Sequence, residues 1–192
     1  MRIIPILVLV FAYNICIAQQ GRRFTFKEIG WTITLPSDFD IIDSAGNEAM
    51  NSKGKKAMEE SNDVKIDLSE MKTLISALKN KYNYFNATIT PYDVEKEGDY
   101  GEAGRAVKDM LYKTFADKMP DAVIDSSSSA TTIDGLSFDK FRIVLKVGDK
   151  LLFNMILLSK LYKNLDFGIS YLYLDETTKL EVENILSKSK FQ

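Results

Sequence analysis

The chain has 192 residues, of which 45% are hydrophobic and 27% charged, proportions typical of a globular protein rather than a disordered or fibrous one. It contains no histidine and one cysteine, which excludes nucleophilic catalysis by an imidazole base and the usual Cys/His zinc sites. Its 25 basic and 27 acidic residues give a net charge of −2, too acidic and too evenly mixed to predict binding to nucleic acid.

The beginning of the chain has the pattern of an export signal. Arg2 supplies a positive start, and a long apolar run follows it. Cys16 and Ala18 are small residues at the −3 and −1 positions of a cleavage site. We therefore predict a signal peptide over residues 1–18 and a single domain over residues 19–192.

The same segment could instead remain as a membrane anchor or carry a lipid on Cys16. Asn14 interrupts the run, which is shorter than a stable membrane span needs. Ile15 stands where a bacterial lipoprotein signal has a small residue, so lipid attachment is disfavoured. We expect a periplasmic or extracellular protein with no stable membrane span after cleavage. Cleavage would also remove the one cysteine, so the domain would fold without a disulfide bond.

The first elements of the domain are predicted to be strands. Side chains alternate over residues 31–35, a period typical of a half-buried strand, and Pro36 ends it. Trp31 is expected to lie in the core. A short second run occupies residues 39–42. The polar stretch 44–62 permits a helix but has a weak apolar stripe, so we expect a loosely packed surface helix or part helix and part loop.

The middle of the chain predicts a hairpin, an acidic loop and a long helix. Residues 72–79 and 84–90 are separated by turn-type residues and are expected to pair as antiparallel strands. An acidic loop is predicted over residues 93–101. After Gly101, apolar residues recur at spacings of three and four, which indicates a helix that ends before Pro120.

The last third of the chain predicts three or four antiparallel strands and a helix. Apolar patterns over 138–147, 151–161 and 167–174 are separated by short turns, which require antiparallel pairing. The middle strand is apolar on both faces, which indicates a central strand covered on both sides. Thr178 and Glu181 have the spacing of a capping box at the start of the final helix. The predicted fold class is α+β, with an antiparallel β-sheet sandwiched between α-helices.

Three stretches of the chain resemble the PsbP-like superfamily. They are Gly30–Pro36 (GWTITLP), Phe85–Asp93 (FNATITPYD) and Glu183–Phe191, which are similar to its opening strand, the end of its central hairpin and its last helix. The superfamily includes the photosystem extrinsic protein PsbP, a Ran-binding import factor and bacterial envelope proteins such as DcrB. The resemblance implies a PsbP-like αβα sandwich that acts as a binding or accessory protein, with no shared set of catalytic residues.

The candidate binding residues flank the predicted acidic loop. Exposed tyrosines beside acids suit a carbohydrate, a peptide or a cationic partner. For the tyrosines the alternative is cross-strand packing in the hairpin, and for the acids it is a solvated loop. The candidate ligand-binding set is Tyr82, Tyr84, Tyr92, Asp93, Glu95, Glu97, Asp99 and Tyr100.

These observations predict an exported, non-enzymatic binding or accessory protein of the cell envelope. We expect it to contact a protein partner or a small ligand and to use neither a cofactor nor a metal. Two alternatives stay open. The carboxylates of residues 93–102 could supply the acid and base of a hydrolase or lyase, which requires two acids that converge in one cleft. They could also bind calcium, although the order of ligands in an EF-hand is absent.

Overall fold

The computed structural model describes residues 21–192, and the predicted signal peptide over residues 1–18 lies outside this range. Between residues 21 and 192, no helix combines the length and the apolar character that a membrane crossing requires. The strands in this range are β1 (Arg22–Phe26), β2 (Trp31–Leu35), β3 (Asp40–Ile41), β4 (Lys72–Leu78), β5 (Tyr84–Pro91), β6 (Val123–Ile133), β7 (Leu136–Val147), β8 (Lys150–Tyr162), β9 (Leu165–Tyr173) and β10 (Lys190–Phe191). The helices are α1 (Ser44–Asn62), α2 (Val94–Glu97), α3 (Tyr100–Lys118) and α4 (Glu176–Lys188).

A seven-stranded antiparallel sheet forms the centre of the described chain, with the strand order β3-β4-β5-β9-β8-β7-β6. The predicted β4–β5 hairpin and the three predicted late strands are confirmed, each close to its expected bounds. Tight turns at Gly148 and at Lys163–Asn164 join the late strands, and these residues adopt positive φ angles. A second antiparallel sheet has the order β1-β2-β10.

The two faces of the large sheet are covered by different layers. On one face, the small sheet and α4 bury a core that includes Trp31, Phe167 and Val182. Trp31 is fully buried, as predicted, and its ring centroid lies 5.2 Å from that of Phe167. On the other face, α3 packs its Phe115 against Phe153. The predicted α+β class, an antiparallel sheet sandwiched between helices, is confirmed.

The polar stretch 44–62 forms one continuous helix, α1, as the first of the two expectations proposed. Its weak apolar stripe has a structural reason, because α1 is fastened to α3 mainly by polar contacts. The side-chain amide of Asn62 donates to the Met110 carbonyl at 3.3 Å and to the Thr114 hydroxyl at 3.0 Å. The hydroxyl of Ser61 donates to Asp117 at 2.7 Å. α1 therefore forms an outer layer on α3.

The prediction of an acidic loop over residues 93–101 is wrong, because this stretch contains α2 and the start of α3. Two of its acids are helix N-caps. Asp93 accepts a hydrogen bond from the backbone N–H of Glu95 at 3.1 Å, and Asp99 accepts one from that of Glu102 at 2.8 Å. Such caps satisfy the free N–H groups at the start of a helix, so acidic residues here favour helix and not loop.

The predicted start of the last helix is also wrong. α4 begins at Glu176, two residues before Thr178, and its N-cap is Asp175. The carboxylate of Asp175 accepts the backbone N–H of Thr178 at 2.8 Å and its hydroxyl at 3.0 Å. The capping box assigned to Thr178 and Glu181 therefore does not form, because an aspartate three residues upstream takes the capping position.

Candidate functional site

A cavity of about 360 Å³ lies between the start of α3 and the large sheet, near the end of β5 and the beginning of β9. We call it the α3 cavity. The helix contributes Tyr100, Ala103, Gly104, Val107 and Lys108 to its wall, and the sheet contributes Thr88, Thr90, Phe141, Leu157, Ser159, Asp166 and Gly168. Tyr92 and Glu97 lie at the side of the cavity where the chain runs from β5 through α2.

The cavity exists because the side chains between helix and sheet are small at one end of α3 and large at the other. Ala103 and Gly104 face the sheet in the first turns of α3, and a methyl group built on Gly104 would meet no atom within 4 Å. Further along α3, Leu111 and Phe115 fill the corresponding space by packing against the sheet. On the sheet side, Gly168 also has no side chain, although a methyl group built there would lie 3.3 Å from the hydroxyl oxygen of Thr88.

Tyr100 and Asp166 form a hydrogen-bonded pair in the wall of this cavity. The phenol of Tyr100 donates to Asp166 Oδ1 at 2.6 Å, and both side chains are partly buried. Burial raises the pKa of Asp166, the bond from Tyr100 acts in the opposite direction, and the charge of Glu97 raises it further. Burial and the adjacent carboxylate also raise the pKa of Tyr100, so the phenol keeps the proton that it donates.

The carboxylate of Asp166 has no ion-pair partner among the described residues. Lys108 also lines the cavity, but its ammonium group lies 2.5 Å from the carboxylate of Asp139. The same group lies 5.7 Å above the centre of the Phe141 ring. Because Lys108 is already paired, it leaves the negative charge of Asp166 uncompensated.

Two tyrosine rings form the aromatic part of the wall. Tyr92 is 8% exposed, and its ring is perpendicular to that of Tyr100, with centroids 5.1 Å apart. The Tyr92 hydroxyl donates to the Gly98 carbonyl at 3.2 Å, which ties the linker between α2 and α3 to the end of β5. Gly98 has a φ of +86°, a conformation that favours glycine. The rings are therefore held in place by the chain around them.

The α3 cavity brings together three of the predicted site residues, Tyr92, Glu97 and Tyr100. Tyr82 and Tyr84 lie at the other end of the hairpin. Tyr84 pairs with Leu172 whereas Pro91 pairs with Leu165, a separation of seven residues along β5, or roughly 23 Å. The structure therefore divides the tyrosines of the predicted site into two groups.

The two distant tyrosines have their own surroundings. Tyr82 is 55% exposed, with the ammonium group of Lys81 4.6 Å from its ring centroid. The hydroxyl of Ser76 donates a hydrogen bond to the phenol oxygen of Tyr84 across the hairpin at 3.1 Å. The contact of Tyr84 is the kind of cross-strand packing that was the alternative to a binding role.

The other acids of the predicted site do not converge on the cavity. Asp93 and Asp99 cap helices, and Asp93 and Glu95 line a neighbouring open groove that shares Tyr92 and Glu97 with the wall of the cavity. Glu97 Oε1 accepts the backbone N–H of Asp93 at 2.9 Å. Within residues 21–192, no group of three or more acidic or cysteine side chains is placed to hold a metal ion.

A second concave surface, of about 380 Å³, lies between the small sheet and α4. Its cations are Arg23, Lys188 and Lys190. Lys190 is paired with Asp134 at 2.6 Å, and Lys188 lies at the end of α4, where a cation suits the helix dipole. Two of these three charges have structural reasons, so this groove is a weaker candidate than the α3 cavity.

Sequence reasoning missed Asp166, Ser159 and Gly168. The sequence did carry a signal for two of them, because every second residue of β9 lies on the same face and Asp166, Gly168 and Ser170 share one face. A polar and small face on a central strand indicates that the layer above it leaves a space. The pairing of Thr90 with Asp166, which places this carboxylate beside the end of β5, comes only from the structure.

Comparisons with known proteins identify structures with a similar fold but no protein with a similar sequence. No family model matches the chain, and no curated protein matches its sequence. The solution structure of cyanobacterial PsbP (CyanoP) from Synechocystis sp. PCC 6803 is similar, with a TM-score of 0.58 and 12% identity, and the match covers 91% of this chain and 94% of that one.

A crystal structure from Bacteroides thetaiotaomicron VPI-5482 is also similar, with a TM-score of 0.50 and 10% identity. The match covers 90% of this chain and 49% of the other, so this chain spans about half of that protein's length. Identities this low carry information about the fold alone. The arrangement of sheets and helices and the likeness to CyanoP lead to one conclusion: this chain has the PsbP-like fold that its sequence predicted.

Proposed function

We propose that this protein is an exported binding or accessory protein, without catalytic activity of its own, that holds part of a protein partner or a small ligand in the α3 cavity. One observation carries the proposal: the hydrogen-bonded pair of Tyr100 and Asp166 borders a cavity that small side chains keep open. A partly buried carboxylate without a counter-charge costs free energy, and an apolar residue there would stabilise the fold better. Groups that work against stability are typical of functional sites.

Export and the accessory role have separate support. Export rests on the sequence of residues 1–18, which has the positive start, apolar run and small residues of a signal peptide. The accessory role rests on analogy, because the chain shares its fold with a PsbP protein and lacks an imidazole. We propose the periplasm or the cell exterior as its location.

The alternative of a hydrolase or lyase that works through carboxylates has one observation in its favour. Asp166 combines a raised pKa with a place in a cavity wall, which is a feature of acid and base catalysts. Its nearest acidic neighbour in the wall, Glu97, already uses one oxygen to accept the N–H of Asp93. We therefore favour binding. Turnover of glycoside or ester substrates that is abolished by Asp166→Asn would establish the alternative instead.

The test of the binding role is a titration of the labelled protein with small fragments, followed by its amide NMR signals. The fragments form three groups, alkylamines, neutral alcohols and carboxylates. We expect at least one group to shift the signals of Tyr100, Gly104 and Gly168 in a saturable way. Shifts that scatter over the surface, or no shift at these residues, would contradict the proposal.

Two leucine variants make this test specific for the cavity. Gly104→Leu places a large side chain in the open space of the wall, and we expect it to abolish fragment binding. Gly54→Leu is the matched control, because Gly54 is also a helical glycine with no atom within 4 Å of an added methyl group, but it lies on exposed α1. Each change removes a poor helix former, so each should leave the fold intact.

A further inference from the structure

We infer that the α3 cavity recognises a cation carried on an aliphatic stem, an alkylammonium or alkylguanidinium group such as the end of a lysine or arginine side chain. This inference rests on the proposed binding function and names the chemistry of its ligand. It follows from three properties of the wall: its charge, its free hydrogen-bonding groups and its aromatic and apolar surfaces.

The charge of the wall is negative once its internal pairing is considered. Among the described residues that line the cavity, the charged ones are Glu97, Lys108 and Asp166. Lys108 is neutralised by Asp139, which lies outside the wall. Two carboxylates of the wall, the partly buried one of Asp166 and the exposed one of Glu97, are therefore without an ion-pair partner among the described residues. Charges attract more strongly in a partly buried site than in water, so a ligand cation gains from this arrangement.

The hydrogen-bonding groups also match a donor-rich ligand. Tyr100 donates to Oδ1 of Asp166, whereas the described residues provide no donor for Oδ2. An ammonium or guanidinium N–H would supply that donor in a charge-assisted bond, which is shorter and stronger than a neutral one. The hydroxyls of Thr90 and Ser159 line the same space and can accept the remaining N–H groups.

The remaining surfaces suit a cation and its stem. The rings of Tyr92 and Tyr100 line the cavity, and aromatic rings attract cations. Val107, Phe141 and Leu157 form an apolar wall against which methylene groups can pack, as the stems of lysine and arginine do elsewhere. An anion would instead approach two carboxylates and would find Lys108 already engaged.

Four ligands with the same four-carbon stem provide the test: butylammonium, butylguanidinium, 1-butanol and butyrate. Each is titrated into the protein at pH 7, and amide shifts at Tyr100, Gly104 and Gly168 give the Kd. We expect both cations to bind at least tenfold more tightly than 1-butanol, and butyrate to produce no saturable shift. Small ligands of this size bind weakly, so the titration must extend to millimolar concentrations.

Variants test whether the affinity for butylammonium depends on the carboxylates of the wall. We expect Asp166→Asn to weaken the binding of butylammonium at least tenfold and Glu97→Gln to weaken it by a smaller factor. Asp149→Asn changes the net charge by the same amount at the Gly148–Asp149 turn, at the opposite end of β7 from Asp139, and should leave the Kd unchanged. Thermal melts of each variant establish that it is folded.

The outcomes separate this inference from the proposed function. Binding of 1-butanol or butyrate in the cavity as tight as that of the cations, with Asp166→Asn unchanged, would overturn the choice of a cation and leave the binding role standing. If none of the four ligands and none of the wider fragment groups shifts the cavity signals, both are overturned. Cation binding that is lost equally in Asp149→Asn would show a non-specific charge effect and would also overturn the inference.

Discussion

The phenol of Tyr100, the first residue of α3, donates a 2.6 Å hydrogen bond to the carboxylate of Asp166 in β9, and this bond joins the helix layer to the sheet beside the cavity. The hydrogen bond holds the Asp166 carboxylate in the wall of the cavity. Tyr100 occupies Oδ1, so Oδ2 can accept a hydrogen bond from a ligand.

Replacement of Asp166 should not destabilise the protein. Burial raises the pKa of Asp166 above its ordinary value of 3.8, so the folded state binds protons that the unfolded state has released. The free energy of unfolding therefore rises as the pH falls through the raised pKa of Asp166 towards 3.8. At pH 7 the ionised carboxylate costs free energy. Asparagine keeps an acceptor for Tyr100 without the charge. We expect Asp166→Asn to melt at pH 7 at the wild-type temperature or up to about 4 °C higher.

The same melting experiment distinguishes a structural role from a functional one. If Asp166 were retained for the sake of the fold, its replacement would lower the Tm by several degrees. Such a decrease, with the native circular dichroism spectrum otherwise unchanged, would contradict the interpretation of this residue as a binding group.

Removal of the Tyr100 hydroxyl should have the opposite effect on stability. Tyr100→Phe leaves the partly buried carboxylate without its donor, and we expect a loss of about 1–3 kcal/mol at pH 7. In the double variant with Asp166→Asn, the loss should be smaller, because no charge is left without a partner. Urea unfolding of the two single variants and the double variant measures this coupling. Additive effects of the two changes on the free energy of unfolding would show that the two groups do not interact.

Affinity for a cationic ligand should depend on pH. Because burial raises the pKa of Asp166, the carboxylate gains a proton above pH 3.8, and a bound cation opposes that protonation. We expect the affinity for butylammonium to decrease as the pH falls from 7 towards 4. The charged and titratable groups around Asp166 are Tyr100, Glu97, Lys108 and Asp139.

The Asp166→Asn variant is the control for this pH dependence. We expect its residual affinity to vary much less between pH 4 and pH 7 than that of the wild type. An equal decrease in both proteins would assign the pH dependence to another group and contradict the role of Asp166.

A separate prediction concerns the C-terminal strand. Asp134, in the turn between β6 and β7, accepts the Lys190 ammonium at 2.6 Å and the Phe191 backbone N–H at 2.8 Å. The bond from Lys190, together with that from Phe191, lowers the pKa of Asp134. A carboxyl with a lowered pKa stabilises the folded state above its ordinary pKa, and this contribution is lost as the pH falls through the lowered value.

Two variants of Asp134 separate its contributions. Asp134 has a φ of +46°, a conformation that asparagine adopts more readily than alanine does. We expect Asp134→Asn to retain the Phe191 contact and lose the ion pair, and Asp134→Ala to lose both. Hydrogen exchange at the Phe191 amide should therefore be several-fold faster in the alanine variant than in the asparagine variant. Equal exchange in both would show that Asp134 does not hold β10 in place.

Much of the fold could be predicted from the sequence, because the strands carry strong local signals. The hairpin predicted at 72–79 and 84–90 forms within one residue of its bounds, since alternation and turn residues act together. Residues 126–129 are four consecutive serines that lie outside the strand ranges predicted from the sequence, yet they belong to β6. β6 is an edge strand with exposed side chains on both faces, so it lacks the alternation that a buried face imposes.

The site could be predicted only in part, because the position of its sheet residues depends on how β5 pairs with β9. Composition led to Tyr92, Glu97 and Tyr100, which are near one another in the chain. Asp166 is 66 residues from Tyr100, and only the pairing of β5 with β9 brings it there. Local sequence likewise did not show that the acids Asp93 and Asp99 cap helices.

Intermolecular NOEs between butylguanidinium and the protein would locate a bound cation most directly. We expect NOEs from the methylene protons of the ligand to the rings of Tyr92 and Tyr100 and to the methyl groups of Leu157, and we expect them to be lost in Gly104→Leu. NOEs to other parts of the surface, or NOEs that persist when the cavity is filled by leucine, would contradict the claim that the α3 cavity is the binding site.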